Sequence, residues 1–127
     1  MDDNKYRILV VDDESFNLKT LAKILTPDYI VYMEKSGVNA IESAEAYLPD
    51  IILLDVMMPE MDGFAVLKEL KAHEKTKDIP VIFITGLNSA ENVAKGIKAG
   101  AVDYISKPFS PIAVIERIER QLKSMSL

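Results

Sequence analysis

The 127-residue sequence contains no cysteine, so disulfide bonds, thiol catalysis and cysteine-ligated zinc are excluded. No apolar run approaches the roughly 18 residues that a membrane span requires. The first residues, MDDNKYR, lack the apolar centre of a signal peptide. The chain also lacks an excess of positive charge, since 15 lysines and arginines face 20 acids and the net charge is −5. Nucleic-acid binding needs clustered lysine and arginine, so this balance argues against it. A cytoplasmic protein without direct nucleic-acid contacts or a membrane anchor is the simplest interpretation.

The amount of apolar sequence indicates one globular unit. Apolar residues make up 49% of the chain, which is normal for a folded domain and too high for a disordered one. We find no repeat, low-complexity tract or linker, and a chain of this length is expected to build a single core. The sequence therefore predicts one domain over residues 1–127.

Strand-like and helix-like segments alternate five times along the chain. Continuous apolar runs, such as residues 8–11 and 51–54, are typical of strands covered on both faces. The alternation predicts parallel strands with right-handed crossovers, which is an α/β fold with a doubly wound five-stranded parallel sheet. Ser89 or Asn88 is expected to cap the fourth helix, and Gly100 to follow it in a left-handed conformation. The inner faces expected for the fourth and fifth helices are Val93, Ala94 and Ile97, and Ile112, Ile115, Ile118 and Leu122.

Acidic residues follow two of the predicted strands. Asp12 and Asp13 close the first strand and Asp55 closes the third, and parallel strands bring their carboxyl ends to one edge of the sheet. Carboxylates this close resist ionisation together, and a hard cation such as Mg²⁺ relieves the repulsion. Asp55, after the central strand, is the candidate nucleophile towards a phosphoryl group. Thr85 and Lys107, after the fourth and fifth strands, are candidates to bind that group.

Four motifs together resemble the receiver domains of two-component response regulators, which are CheY-like proteins. They are VVDDE at 10–14, LLDVMMPEMDG at 53–63, IFITG at 82–86 and DYISKPF at 103–109. Their order and spacing cover the whole chain. The resemblance implies a flavodoxin-like (βα)5 fold with strand order 2-1-3-4-5, an order that the residue pattern alone does not supply.

The resemblance also implies a role for each candidate residue. Asp55 would be the phosphoacceptor, and Asp12, Asp13, Asp55 and the main-chain carbonyl of Met57 would bind Mg²⁺, for which Mn²⁺ can substitute. Thr85 and Lys107 would hold the phosphoryl group, and Lys107 is expected to act more as a contact for that incoming charge than as a counterion of the resting acids. No cofactor other than the metal is implied.

A switch is the function that the resemblance implies. The phosphoryl donor would be a sensor histidine kinase or a histidine phosphotransfer protein, and the domain would catalyse only its own phosphorylation and slow dephosphorylation. Tyr104 would move inward when Thr85 approaches the phosphoryl group, although simple packing in the sheet is the alternative for this tyrosine. The Lys107–Pro108 peptide would be cis. The fourth helix, fifth strand and fifth helix would form the face that controls an output domain or partner.

Other functions fit the residues less well. A nucleotide- or flavin-binding module needs a glycine-rich first loop, but the loop here is the acidic DDESFN. A phosphohydrolase with an aspartate nucleophile typically has a strand that ends in Asp-x-Asp, and the second acid protonates the leaving group. Here the residue two positions beyond Asp55 is Met57, so that acid is missing. A phosphorylation-independent interaction domain would lack part of the acid, threonine and lysine set, and here the set is complete.

Some features of the switch are left open by the sequence. Met57 and Leu87 are bulky apolar residues two positions beyond Asp55 and Thr85, and we hypothesise that they hinder water and prolong the acyl phosphate. The last helix, PIAVIERIERQL, lacks the Glu-Leu-x-Ala-Arg signature of receivers that dimerise and bind DNA through a winged-helix domain, and its Glu-Arg pairs suggest a solvated face. The kinase, the output and a phosphorylation-dependent homodimer are not determined, nor whether a longer protein continues beyond residue 127.

Overall fold

The structure is a computed structural model that describes residues 5–125. These residues form five strands and five helices in strict alternation, which confirms the predicted α/β class. The expectation that the chain has no signal peptide was based on MDDNKYR, and the first four residues of that segment lie outside the described range. The strands are β1 (Arg7–Val11), β2 (Ile30–Glu34), β3 (Ile51–Leu54), β4 (Val81–Thr85) and β5 (Asp103–Ser106). The helices are α1 (Ser15–Leu25), α2 (Gly37–Tyr47), α3 (Gly63–Ala72), α4 (Ala90–Ala99) and α5 (Pro111–Met125).

All strand pairs are parallel, and the order β2-β1-β3-β4-β5 agrees with the one that the family resemblance implies. Every residue of β3 and β4 is buried. Side chains that alternate along the strands form two cores, one on each face of the sheet. No helix among the described residues is long and apolar enough to cross a membrane.

The sheet ladder continues one residue beyond β3 and so fixes the position of Asp55. The Asp55 amide donates to the Val11 carbonyl at 3.0 Å, and the Asp12 amide donates to the Glu34 carbonyl at 3.2 Å. Because β1 and β3 are neighbours in register, the acids that follow them must lie side by side. The register of β1 and β3 therefore places Asp12 and Asp55 side by side.

The two ends of α4 follow the predicted signals. Ser89 caps α4 by accepting from the Asn92 amide, and Gly100 follows the helix with a φ of 118°. The hydroxyl of Ser110 accepts from the Ala113 amide at 3.1 Å at the start of α5. Asp62 caps α3 in the same way, by accepting from the Ala65 amide at 2.9 Å.

The predicted inner faces of the last two helices are partly wrong. In α5 the buried residues are Val114, Ile118 and Leu122, while Ile112 is 80% exposed. Each helical residue advances about 100°, so Ile112 lies about 200° from Val114 and faces away from the sheet. In α4, Ile97 is 46% exposed and Gly96 is the buried position. A prediction built on apolar side chains does not select a glycine.

Candidate functional site

A cleft of about 350 Å³ opens at the carboxyl ends of β1, β3, β4 and β5. It gathers most of the residues that the sequence nominates. The Asp12 side chain is fully buried and does not line the cleft, and Tyr104 lies in β5 three residues before Lys107. The lining residues are Asp13, Glu14, Asp55, Met57, Thr85, Gly86 and Lys107.

Asp12 is held on both carboxylate oxygens. Its Oδ1 accepts from the Glu14 amide at 3.0 Å, which starts the turn into α1. Its Oδ2 accepts from Lys107 Nζ at 2.7 Å and from Asn17 Nδ2 at 3.2 Å. Sequence reasoning missed Asn17, although its place in the first turn of the helix that follows the acid pair is a usable signal.

Asp55 is 4% exposed and has two partners of its own. Its Oδ1 accepts from the Met57 amide at 3.2 Å, and its Oδ2 accepts from Lys107 Nζ at 3.0 Å. Gly63 packs against the backbone behind it, because a Cβ there would lie 2.5 Å from the Asp55 carbonyl oxygen and 2.7 Å from the Val56 Cα. A glycine at 63 is therefore required for α3 to begin so close to the acid.

Lys107 bridges the two buried acids. Burial by itself lowers the pKa of this ammonium, but hydrogen bonds and charge from Asp12 and Asp55 outweigh burial and raise the pKa above its ordinary value. The lysine is thus a firmly protonated counterion. In this structure Lys107 is a counterion of the resting acids, because both of its described ion pairs are with Asp12 and Asp55. Its expected role as a contact for an incoming phosphoryl group stays a prediction.

One lysine does not balance the acid cluster. The carboxylate oxygens of Asp12, Asp13 and Asp55 lie within 4.8 Å of one another, and Asp13 is the partly exposed member. Three negative charges and one positive charge leave a net charge near −2 in a partly enclosed cleft. Hard carboxylate oxygens at this spacing suit Mg²⁺, so the residues present fit the metal that the family resemblance implies. The Met57 carbonyl as a further ligand stays a prediction.

Thr85 is fully buried at the end of β4. Its hydroxyl oxygen accepts from the Leu87 amide at 3.3 Å, and its carbonyl accepts from the Lys107 amide at 2.9 Å. The hydroxyl proton is not used in the bond with Leu87, because the oxygen there acts as acceptor. Thr85 therefore retains a donor beside the acids and is tied through the backbone to Lys107.

Tyr104 lies in the inward position. Its ring is 8% exposed and packs edge-on against Phe83, with ring centres 5.9 Å apart. Its hydroxyl donates to the Leu87 carbonyl. Burial, and then the negative charge of Asp55, raise the pKa of Tyr104. Leu87 is thus held from both sides, by Thr85 at its amide and by Tyr104 at its carbonyl.

Two further features involve β5 and the loop that follows it. The Lys107–Pro108 peptide is cis, as is Thr26–Pro27, which the sequence did not indicate. Arg117, which was assigned to a solvated helix face, instead donates to Asp103 at 2.8 Å and to the Tyr104 carbonyl at 3.1 Å. Position on α5 alone did not reveal this, because the acceptors come from β5.

Residues 8–119 match the family model of the response regulator receiver domain. The chain belongs to this family. It is 43% identical over 113 residues to the response regulator PleD of Caulobacter vibrioides, an alignment that covers 88% of this chain and 25% of PleD. It is 39% identical over 124 residues to the probable transcriptional regulator ycf27 of Cyanophora paradoxa, covering 97% of this chain and 51% of that protein. The receiver thus spans a quarter to a half of these curated relatives.

Solved structures agree with the fold and bear on the metal. The receiver domain of the sensor histidine kinase PA1611 from Pseudomonas aeruginosa superposes with a TM-score of 0.84 at 29% identity, covering 91% of this chain and 96% of that one. That structure has a magnesium ion coordinated in its active-site cleft. Receiver domains act in two-component signalling as switches, and the family binds Mg²⁺ at an acidic pocket. In this chain Asp12, Asp13 and Asp55 form an acidic cluster that could hold a metal ion.

Proposed function

We propose that this receiver accepts a phosphoryl group on Asp55 from the phosphohistidine of a sensor kinase or of a phosphotransfer protein, in a Mg²⁺-dependent reaction. The observation that carries the proposal is the convergence of Asp12, Asp13 and Asp55 with Lys107 and Thr85 at one edge of the sheet. Asp55 directly follows the central strand β3, lines the cleft and is only 4% exposed.

The metal has a clear place in the proposal. Asp12, Asp13 and Asp55 would hold Mg²⁺, with the Met57 carbonyl as a further ligand and Mn²⁺ as a substitute ion. When bound, the ion neutralises negative charge that develops on the phosphoryl oxygens. Asn17 and the Glu14 amide fix the Asp12 carboxylate and so preserve the shape of the acid cluster.

The chain's own residues would direct the transfer. A carboxylate oxygen of Asp55 forms the new O–P bond while the P–N bond of phosphohistidine breaks, and the imidazole keeps the electron pair and takes up a proton. Lys107, which is firmly protonated, leaves its contact with Asp55 for the phosphoryl oxygens. The Thr85 hydroxyl supplies a neutral donor from the neighbouring strand. The acyl phosphate is later lost by slow self-catalysed hydrolysis.

The switch would act through Leu87. Thr85 and Tyr104 bind the two sides of this residue, so a movement of Thr85 towards the phosphoryl group moves the loop that Tyr104 holds. The inward Tyr104 is the conformation that the family resemblance associates with the phosphorylated form. Phosphorylation then shifts a two-state equilibrium of the face formed by α4, β5 and α5, which an output domain or partner reads.

The remaining parts of the function are also proposals. Residues 1–127 form a single receiver domain in the cytoplasm that does not bind nucleic acid itself and does not turn over an external metabolite. A phosphorylation-dependent homodimer is compatible with the proposed switch. The output domain differs among relatives that share this receiver and is not assigned.

Intact-mass measurement tests the proposal. The wild-type chain, incubated with a small phosphodonor and Mg²⁺, should gain one phosphoryl group, and EDTA should prevent the gain. The Asp55→Asn variant should gain none, whereas Asp78→Asn, which removes an exposed acid outside the cleft, should behave as wild type. A phosphoryl adduct of equal yield on Asp55→Asn would overturn the assignment of the acceptor.

A further inference from the structure

Helix α4 touches the sheet with a glycine. Within α4, which the structure describes completely, Gly96 is the one buried residue. A Cβ built on it would lie 3.0 and 3.2 Å from two ring carbons of Phe83 and 3.2 Å from a ring carbon of Tyr104. Ordinary carbon–carbon contacts lie at roughly 3.5–4.0 Å. A Cβ at position 96 would therefore be too close to both rings in their present positions, and one or both rings would have to shift by a few tenths of an ångström.

The two rings differ in their freedom to yield. Phe83 is fully buried in β4, inside the sheet, and packs on Phe64 as well as on Tyr104. Tyr104 belongs to β5, the edge strand, and its inward position depends on one hydrogen bond to the Leu87 carbonyl and on packing beneath α4. A side chain at position 96 would thus be accommodated most readily by an outward shift of Tyr104, of a few tenths of an ångström or more.

We propose that Gly96 is a positioning residue of the switch, because its missing side chain provides the space in which the inward Tyr104 ring lies. The consequence for the acid cleft depends on the proposed function. Tyr104 holds the Leu87 carbonyl and Thr85 holds the Leu87 amide, so a tyrosine displaced outward leaves the Thr85 segment less restrained. Gly96 does not line the cleft, yet it tunes the residues that do.

Fluorine NMR of the Gly96→Ala variant tests the position of Tyr104 directly. The chain is labelled with 3-fluorotyrosine, and the Tyr104 signal is identified by its loss in Tyr104→Phe. In Gly96→Ala the signal should move towards the position of a solvent-exposed tyrosine. A Tyr104 signal at the wild-type position in folded Gly96→Ala would overturn the proposal.

A stability cycle separates this contact from helix propensity, since alanine is a better helix former than glycine at any interior position. The shift in urea midpoint caused by Gly96→Ala is measured in the wild type and in Tyr104→Ala. The propensity gain is common to both backgrounds and cancels, and the Phe83 contact cancels as long as that ring keeps its place against Phe64. We expect a less favourable shift when Tyr104 is present. Equal shifts, or failure to fold in both backgrounds, would assign the obstacle to Phe83 and overturn the proposal.

Binding of beryllofluoride, a phosphoryl mimic, connects the contact to the cleft. With Mg²⁺ present, Gly96→Ala should bind the mimic several-fold more weakly than wild type, and equal affinities would refute the coupling of Gly96 to the cleft. If the wild type itself fails to bind, the proposed function fails, while the NMR and stability measurements still decide the role of Gly96.

Discussion

Removing the charge of Asp13 should stabilise the metal-free protein. Asp13 is the partly exposed member of the acid cluster, and its carboxylate lies within 4.8 Å of those of Asp12 and Asp55. Lys107 forms ion pairs with Asp12 and Asp55. None of the described ion pairs involves Asp13, so no direct contact offsets its repulsion by the other two acids. The Asp13→Asn substitution keeps the size of the side chain and removes only its charge.

The magnitude follows from Coulomb's law. At 4.8 Å, one pair of like charges costs roughly 3 kcal/mol at an effective dielectric of 20 and roughly 1 kcal/mol at that of water. Asp13 repels two carboxylates and is attracted by one ammonium, so about one repulsive pair remains. We therefore expect Asp13→Asn to raise the free energy of unfolding by about 1–3 kcal/mol in EDTA at low salt.

Magnesium should reverse the order of stability. A ligand at 100 times its Kd stabilises the native state by about 2.7 kcal/mol, and wild type should gain more than Asp13→Asn because it keeps all three acids. Urea unfolding in EDTA and in excess Mg²⁺ measures both effects, with Asp78→Asn as the control for loss of an exposed negative charge. A less stable Asp13→Asn in EDTA, or equal gains from Mg²⁺, would refute this account of the cluster.

Three other predictions concern the surroundings of the cleft. Gly63→Ala should cost about 3 kcal/mol in urea unfolding, because the added Cβ meets backbone atoms that cannot yield; wild-type stability would contradict this. Met57 and Leu87 line one shared hollow beside Asp55, and alanine at either position should speed loss of the phosphoryl group in a mass-spectrometric time course; unchanged lifetimes in both would reject shielding. Folding raises the pKa values of Tyr104 and Lys107, so their contribution to the free energy of unfolding is complete below about pH 10 and is lost as the pH rises further. Urea unfolding across this range should show a less steep loss in Tyr104→Phe than in wild type. Parallel profiles would exclude Tyr104 as a contributor.

The edge of the sheet that carries the site was predictable from the residue pattern, because parallel strands all end at one edge. That β1 and β3 are neighbours came only from the family resemblance. Asp12 and Asp55 follow apolar strands, and neighbouring parallel strands necessarily place such residues at a common edge. Thr85 and Lys107 reach the same edge for the same reason. The alternation of apolar strands and amphipathic helices likewise indicates the α/β class without any knowledge of contacts.

Contacts between elements were not predictable from local pattern. Arg117 of α5 donates to Asp103, which lies 14 residues earlier in β5, and only the packing of α5 on β5 brings the two together. Gly96 carries no side chain, so no hydropathy pattern assigns it to the core, although α4 packs on it. Lys107 Nζ lies 2.7 Å from Asp12 Oδ2 and 3.0 Å from Asp55 Oδ2. The sequence places the lysine at the same edge as the acids but does not indicate that it bridges both.

Chemical mapping of the phosphorylated residue tests the central claim most directly. The chain is phosphorylated with a small phosphodonor and Mg²⁺ and then treated with borohydride, which reduces an aspartyl phosphate to homoserine. Tandem mass spectrometry of the digested chain should find homoserine at position 55, with Asp12 and Asp13 unchanged. Homoserine at position 12 or 13, or a phosphoryl group on a hydroxyl such as that of Thr85, would contradict the account.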